Sequence, residues 1–138
     1  MQMLITGGAG FIGGHLAERF AGDGHAVVVL DNLDPYYSVD IKRHNVEMGR
    51  EAAARGGGSY EFVEDDVRDE ALVRELMEGT DYVFHEAAQA GVRTSVANPR
   101  KPNSVNVEGT LNVLDAARDA DVERVIVASS SSVYGKAE

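Results

Sequence analysis

An α/β fold organised on one parallel sheet is what this 138-residue sequence predicts, as a single domain over residues 1–138. Three observations carry the expectation: short apolar runs alternate with segments of helical period, a glycine triplet follows the first run, and an acid closes the second. Met1 to Thr6 is short, apolar and uninterrupted, as a strand covered by helices on both faces must be. Phe11, Ile12, Leu16, Ala17 and Phe20 then recur at helical spacing until Gly22-Asp23-Gly24 stops the pattern. Ala26 to Leu30 is a second, β-branched strand closed by Asp31-Asn32. The polar segment after it fits a helix over Ile41 to Ala54, and Arg55 to Ser59, with three consecutive glycines, reads as a loop. Tyr60 to Val63 reads as a third strand, Glu70 to Met77 as a short helix, and Asp81 to Phe84 as a fourth strand that runs into His85-Glu86-Ala87-Ala88. Pro99 and Pro102 make Gly91 to Asn103 a loop. Val105, Thr110, Leu111, Val113, Leu114 and Ala117 mark one apolar helix face, and Val125 to Ala128 is a fifth strand. Such alternation implies right-handed crossovers, with ligands outside the carboxyl ends of the strands.

Composition narrows the function classes. Hydrophobic residues at 43% and charged residues at 26% belong to a folded chain rather than a disordered one. Thirteen basic against 23 acidic residues give a net charge of −10, a poor match to a nucleic-acid backbone, which needs clustered cations. With no cysteine there is no disulfide, thiolate chemistry or zinc–thiolate site, which points to an intracellular, cytoplasmic protein. No apolar run is long enough to span a membrane, and MQMLITGG lacks the basic and apolar regions of an export signal. Lys42, Lys101 and Lys136 are the only lysines; this acidic, lysine-poor balance suits a salty cytoplasm and an arginine-favouring genome equally well.

The chemistry starts at Gly7, Gly10 and Gly13, which form G-x-x-G-x-x-G between a strand and a helix. Glycines allow a tight turn and close approach of a pyrophosphate, whose charge meets unpaired N–H groups at the positive end of the helix. A glycine turn without a ligand is the competing reading of the triplet alone. Asp31 weighs against it: this acid ends the second strand 18 residues beyond Gly13, near the offset at which a carboxylate meets an adenosine ribose. It is expected to accept both ribose hydroxyls and to repel a 2′-phosphate. No Arg or Lys follows among Asn32, Leu33 and Asp34, so NAD is favoured over NADP. An Asp that only caps a turn is the alternative. The pattern G-x-x-x-x-G-K-[ST] is absent, against a P-loop hydrolase.

Thr6-Gly7-Gly8-Ala9-Gly10-Phe11-Ile12-Gly13 resembles the cofactor loop of the extended short-chain dehydrogenase/reductase family, the nucleotide-sugar epimerases and dehydratases. Asp31-Asn32-Leu33 and Asp66-Val67-Arg68-Asp69 are similar to that family's acids after the second and third strands. His85-Glu86-Ala87-Ala88 resembles H-x-A-A, Asn106-Val107-Glu108-Gly109-Thr110 resembles N-x-x-G-T, and Ser129 to Gly135 resembles S-S-x-x-V-Y-G. Six motifs in family order span nearly the whole chain. Asp34-Pro35-Tyr36-Tyr37, its long insert, and Ala87 to Arg93 look most like the UDP-glucuronate and UDP-glucose 4-epimerases.

The resemblance implies a Rossmann-type doubly wound sheet, here truncated after about five strands, and NAD as cofactor. It implies NAD contacts at Gly7, Gly10, Phe11, Ile12, Gly13, Asp31 and Asn32, then at Asp66 on the adenine amino group, Val67 beside the ring, and Ala87 and Ala88 along the cofactor. It also implies a UDP-sugar substrate whose C4 is oxidised to a ketone and reduced on its other face, and a homodimer in the full-length parent. Ser130 takes the position that hydrogen-bonds the C4 oxygen, a catalytic role suited to a hydroxyl that can both donate and accept. Ser131 and Ser132 fall near the sugar's C5 substituent and bind substrate. A polar serine loop that satisfies its own backbone is the plainer reading. Tyr134 belongs to the structural V-Y-G rather than to catalysis.

The family's catalytic Tyr-x-x-x-Lys does not occur: four residues after Tyr36, Tyr37, Tyr60, Tyr82 and Tyr134 stand Asp40, Ile41, Glu64, Glu86 and Glu138. The four histidines are scattered and form no metal or triad pattern. A rim salt bridge is the expectation for Glu86 and Arg93. The chain therefore reads as the inactive N-terminal, NAD-binding part of an epimerase. Two alternatives stay open: a stand-alone NAD-binding regulatory module, and a nucleotide-sugar dehydratase or decarboxylase. Dehydratases of the family usually carry Thr-Asp-Glu where Ser130-Ser131-Ser132 stand here, which weighs against that class. The outer apolar face of the helix over Ser104 to Ala120 is expected to be exposed and to promote association.

Overall fold

The computed structural model describes residues 1–135 and gives only the backbone of Ser132; the side chain of that expected substrate contact lies outside the described part. Five strands, β1 (Gln2–Thr6), β2 (Ala26–Leu30), β3 (Ser59–Val63), β4 (Tyr82–His85) and β5 (Arg124–Val127), form one sheet in the order β3-β2-β1-β4-β5. Every pairing is parallel. The chain winds outward from β1 through β2 to β3, then crosses back to place β4 on the other side of β1. That reversal is the switch point of a doubly wound, Rossmann-like sheet, and it opens a crevice at the carboxyl ends of the strands.

Alternating residues of the same apolar strand feed two cores. Ile5, Val27 and Val29 pack with Ala17, Ala21 and Ala53 of α1 (Phe11–Gly22) and α2 (Val39–Gly56). Leu4, Leu30 and Val83 pack on the opposite face with Val73 and Met77 of α3 (Glu70–Met77) and with Val113, Ala116 and Ala117. Burial on both faces explains why β1 shows no polar alternation. α3 starts where a carboxylate can cap it: the Leu72 N–H donates to the Asp69 side chain at 3.0 Å, and Arg74 lies in the last turn. α1 and α2 touch through glycine, since a Cβ on Gly56 would overlap the Gly22 carbonyl.

Most expected boundaries shift by one or two residues, and the larger departures lie at α2, β3 and the segment after β4. α2 runs from Val39 to Gly56 and stops at Gly57, whose φ of +76° ends the helix in the left-handed conformation. β3 therefore begins at Ser59, and the loop shrinks to Gly57-Gly58. The expected loop over Gly91 to Asn103 is mostly helical: α4 (Val92–Ala97), α5 (Arg100–Pro102), a π-helical turn (Asn103–Glu108) and α6 (Gly109–Asp119) follow in close succession. Pro99 occupies the N-cap and Pro102 the first turn, where a missing N–H costs no intrahelical bond, so these prolines start a helix instead of breaking one. The π turn inserts its extra residue at the N-x-x-G-T segment. The single apolar face expected for this helix splits: Val105, Val113 and Ala117 are buried, whereas Leu111 and Leu114 are exposed together with Val107. No helix of the described residues is long and apolar enough to cross a membrane.

Candidate functional site

A cavity of about 540 Å³ occupies the crevice and meets the carboxyl end of every strand. Gly7 follows β1, Asp31 and Asn32 follow β2, Asp65, Asp66 and Val67 follow β3, Glu86, Ala87 and Ala88 follow β4, and Ala128 follows β5. Phe11, Ile12 and Gly13 enter from the first turn of α1, with Gly10 as its N-cap. All eleven cofactor contacts expected from the sequence thus line one cavity.

The glycines are required by contact. Gly7 has φ +68°, and a Cβ there would stand 2.7 Å from the Ala87 nitrogen. A Cβ on Gly13 would lie 2.5 Å from the Gly7 carbonyl oxygen and 2.8 Å from the Gly8 Cα, backbone that cannot swing aside. Gly10 is held less tightly, 3.1 Å from the same carbonyl. α2 fastens the loop from outside, because the Asn45 amide donates to the carbonyls of Ala9 (2.9 Å) and Gly10 (3.3 Å). The N-terminus of α1 has no side-chain cap and no acid in its first turn. Its first N–H groups therefore face the cavity with their partial positive charge unanswered, and this cradle fits a dinucleotide pyrophosphate.

Asp31 is 6% exposed and already well supplied with donors. Its Oδ2 accepts from the Ala9 N–H at 3.2 Å; its Oδ1 accepts from the Leu33 N–H at 2.9 Å and from the Lys42 ammonium at 3.0 Å. A carboxylate has about four lone-pair positions, so one place remains, on Oδ2. That position is open to one further donor from the cavity. Lys42 lines the same cavity. The cation missing from residues 32–34 is delivered one turn into α2, where sequence spacing alone does not place it.

Asp66 is ordered by a fork: Arg68 donates Nε to Oδ1 at 2.9 Å and Nη2 to Oδ2 at 2.7 Å, while the Asn32 amide donates to Oδ2 at 2.7 Å. The Arg68 hydrogen bonds hold this carboxyl well below its ordinary range, at about 2. Val67 is buried behind it. Gly109 of the N-x-x-G-T motif allows α6 to approach, since a Cβ there would press on the Val67 side chain at 2.7 Å. The Asn112 amide also donates to the Val67 carbonyl at 3.0 Å, so α6 braces this wall of the cavity.

A buried relay sets the β4 loop. The Ala87 N–H donates to Thr6 Oγ1 at 3.3 Å, and Thr6 Oγ1 lies 2.7 Å from His85 Nδ1. His85 Nε2 lies 2.8 Å from Thr110 Oγ1, which donates to the Asn106 carbonyl at 2.7 Å. Because the Thr110 proton is committed to Asn106, His85 must donate through Nε2 and accept the Thr6 proton at Nδ1, which fixes the tautomer. Burial pushes the imidazole down to about 4, so it is neutral at physiological pH. Asn106 itself pairs both ways with Gln89, accepting its N–H at 2.7 Å and donating to its carbonyl at 3.2 Å. Ala87 and Ala88 are thus held between two fixed points.

The serines stand apart. Ser130 is exposed and accepts the Val133 N–H on its carbonyl at 3.2 Å; Ser131 opens a 3₁₀ turn that ends at Tyr134. Neither lines the cavity, although Ala128, two residues upstream of Ser130, does. The expected rim salt bridge does not form: among the described residues Glu86 and Arg93 make no ion pair, and burial against the cavity wall pushes the Glu86 carboxyl above its ordinary range. No group of three His, Asp or Glu among the described residues could hold a metal ion. Ala9, Tyr37, Ser38, Ile41, Lys42 and Asn45 are lining residues that sequence reasoning missed. Most lie in or beside the polar segment that becomes α2, whose only sequence signal was its helical period.

Comparison with known proteins agrees with this geometry. The profile of the family described as "NAD dependent epimerase/dehydratase family" matches residues 3–138. A probable UDP-glucuronate 4-epimerase of Rhizobium meliloti is 38% identical over 141 residues, covering 100% of this chain and 40% of that protein. A putative UDP-glucose 4-epimerase of Methanocaldococcus jannaschii is 35% identical, over 98% of this chain and 40% of its own. The crystal structure of UDP-glucose-4-epimerase from Stenotrophomonas maltophila, with bound NAD and formylated UDP-arabinopyranose, superposes with a TM-score of 0.83 at 33% identity, over 100% of this chain and 39% of its own. That of the Bifidobacterium longum UDP-glucose 4-epimerase with NAD+ and UDP gives 0.80 at 31%, over 98% and 38%. The chain spans about 40% of the length of these relatives.

Proposed function

We propose, from the premise that this chain belongs to the NAD-dependent epimerase/dehydratase family, that it forms the cofactor-holding part of a UDP-sugar 4-epimerase. The observation that carries the reading is the convergence of the glycine loop, Asp31, Asp66-Val67 and Ala87-Ala88 on one cavity. The first turn of α1 holds the pyrophosphate, Asp31 a ribose hydroxyl, Asp66 the adenine amino group, and Val67 the ring face. Bound NAD supplies a hydride acceptor that becomes a hydride donor in the second half-reaction. Ser130 hydrogen-bonds the sugar C4 oxygen as it passes between alcohol and ketone, and Ser131 and Ser132 contact the C5 substituent. Their position just past the end of β5, beside Ala128, supports these roles. No Tyr-x-x-x-Lys lies within the 138 residues, so the base that takes the C4 proton comes from outside them and the chain alone turns nothing over.

The exposed stripe of Val107, Leu111 and Leu114 supports a homodimer built on α6. The net charge of −10 and the absence of cysteine support a cytoplasmic location without nucleic-acid partners.

The test incubates the protein, in the form in which the cell makes it, with NAD and either UDP-glucuronate or UDP-glucose, and follows the sugars by chromatography. The reading predicts a C4 epimer from one of the two and no net accumulation of NADH. Stoichiometric NADH would mean a dehydrogenase, and failure to bind NAD would overturn the reading altogether.

A further inference from the structure

Lys42 and Asp31 form the one ion pair among the described residues in which both side chains are nearly buried, at 11% and 5% exposure; the other ion pairs lie at the surface. The pair lies in the wall of the cavity, where the acid after β2 meets an adenosine ribose. The Lys42 ammonium has three N–H donors, and among the described residues it makes one contact, to Asp31 Oδ1. Two donors therefore remain for a ligand, beside the carboxylate that a 2′-phosphate would have to approach. The next acid, Asp34, is engaged elsewhere: its carboxylate accepts from Lys101 at 2.7 Å, which holds it below the ordinary carboxylate range. Asp66 is likewise taken up by Arg68 and Asn32.

We propose that Lys42 is a concealed contact for a 2′-phosphate, and that Asp31 gives the site its preference for NAD by neutralising this ammonium as well as by repelling the phosphate. This rests on the cavity being the NAD site. In the native pair the net charge beside the ribose is zero, so a 2′-phosphate gains nothing from Lys42 and meets the Asp31 oxygens. One ribose hydroxyl donates to the remaining Asp31 position, and the neighbouring hydroxyl oxygen accepts from Lys42. Removing the carboxylate leaves a nearly buried ammonium with all its donors open, the kind of point charge that binds phosphate. Selectivity then belongs to a two-residue unit drawn from different elements, the end of β2 and the second turn of α2.

The test titrates NAD and NADP into wild type, Asp31→Ala, Asp31→Ala/Lys42→Met and Asp31→Ala/Lys42→Arg, with melting curves to verify folding. Asp31→Asn, which keeps the side-chain shape, replaces Asp31→Ala if the latter does not fold. Wild type is expected to bind NAD in clear preference to NADP. Asp31→Ala is expected to raise affinity for NADP about tenfold or more relative to NAD, with a salt dependence that NAD binding lacks. Adding Lys42→Met should abolish that gain, and Lys42→Arg should retain it. A gain that survives Lys42→Met, or no gain in any folded Asp31 variant, overturns the proposal while leaving the NAD site intact. If wild type binds neither dinucleotide, the fault lies in the proposed function instead.

Discussion

His85 carries the pH dependence of this fold. Its imidazole is 3% exposed and neutral, with a pKa of about 4 against an unfolded value near 6.5. A folded pKa below the unfolded one contributes stability that is fully present above pH 6.5 and is lost as pH falls toward 4. The loss amounts to about 3 kcal/mol at most. Denaturant midpoints measured from pH 7 to pH 4 are expected to fall accordingly, and His85→Gln should flatten the slope over that window while lowering stability at pH 7. Asp66 has the same sign further down, its contribution being lost as pH falls from the ordinary carboxylate range through about 2. Its partner Arg68 is substantially solvent-exposed, so that effect is on the order of 1 kcal/mol. Tyr60 offers the opposite case. Its hydroxyl is buried, has no partner among the described residues, and is pushed up in pKa by that burial. Tyr60→Phe is expected to be neutral or to stabilise by about 1 kcal/mol; a loss of more than that in a thermal melt would reveal a partner the fold does not show.

The β1–α1 turn has little slack at its first and last glycines. Gly13 faces backbone within 2.5 Å of where a Cβ would stand, so Gly13→Ala is expected to cost about 1–3 kcal/mol and to weaken NAD binding by about tenfold or more. Calorimetry on the folded variant separates the two effects. This turn was legible in the sequence because its constraints are local: three glycines, a preceding apolar run and a following helical period. Asp31 was legible for the same reason, at the end of a β-branched strand. Lys42 and Asn45 were not, because they reach the site only through the crossing of α1 and α2, set by the close approach of Gly22 and Gly56. The helices between Val92 and Pro102 were hidden by prolines that ordinarily signal a break and here start a turn. His85 was recognised as part of a motif, but its role as the centre of a relay from Ala87 to Asn106 needs β1, β4 and α6 side by side.

At the scale of the whole molecule, one apolar stripe is left without a cover: Val107, Leu111 and Leu114 stand on the outer side of α6 and the turn before it. Concentration-dependent association is the expected consequence, read by sedimentation velocity. Leu111→Glu with Leu114→Glu should abolish it and change the stability of dilute protein by less than about 0.5 kcal/mol. Unchanged association would place the interface elsewhere. The strand order β3-β2-β1-β4-β5 does more for function than any single residue, because it brings the ends of five separated segments to one cavity. Amide hydrogen exchange with and without NAD tests that convergence most directly. Protection is predicted at Gly7 to Gly13, Asp31 to Lys42, Asp66-Val67 and Ala87-Ala88 together, with little change along α3 and the outer face of α6. Protection confined to other segments, or none at saturating NAD, would contradict the account.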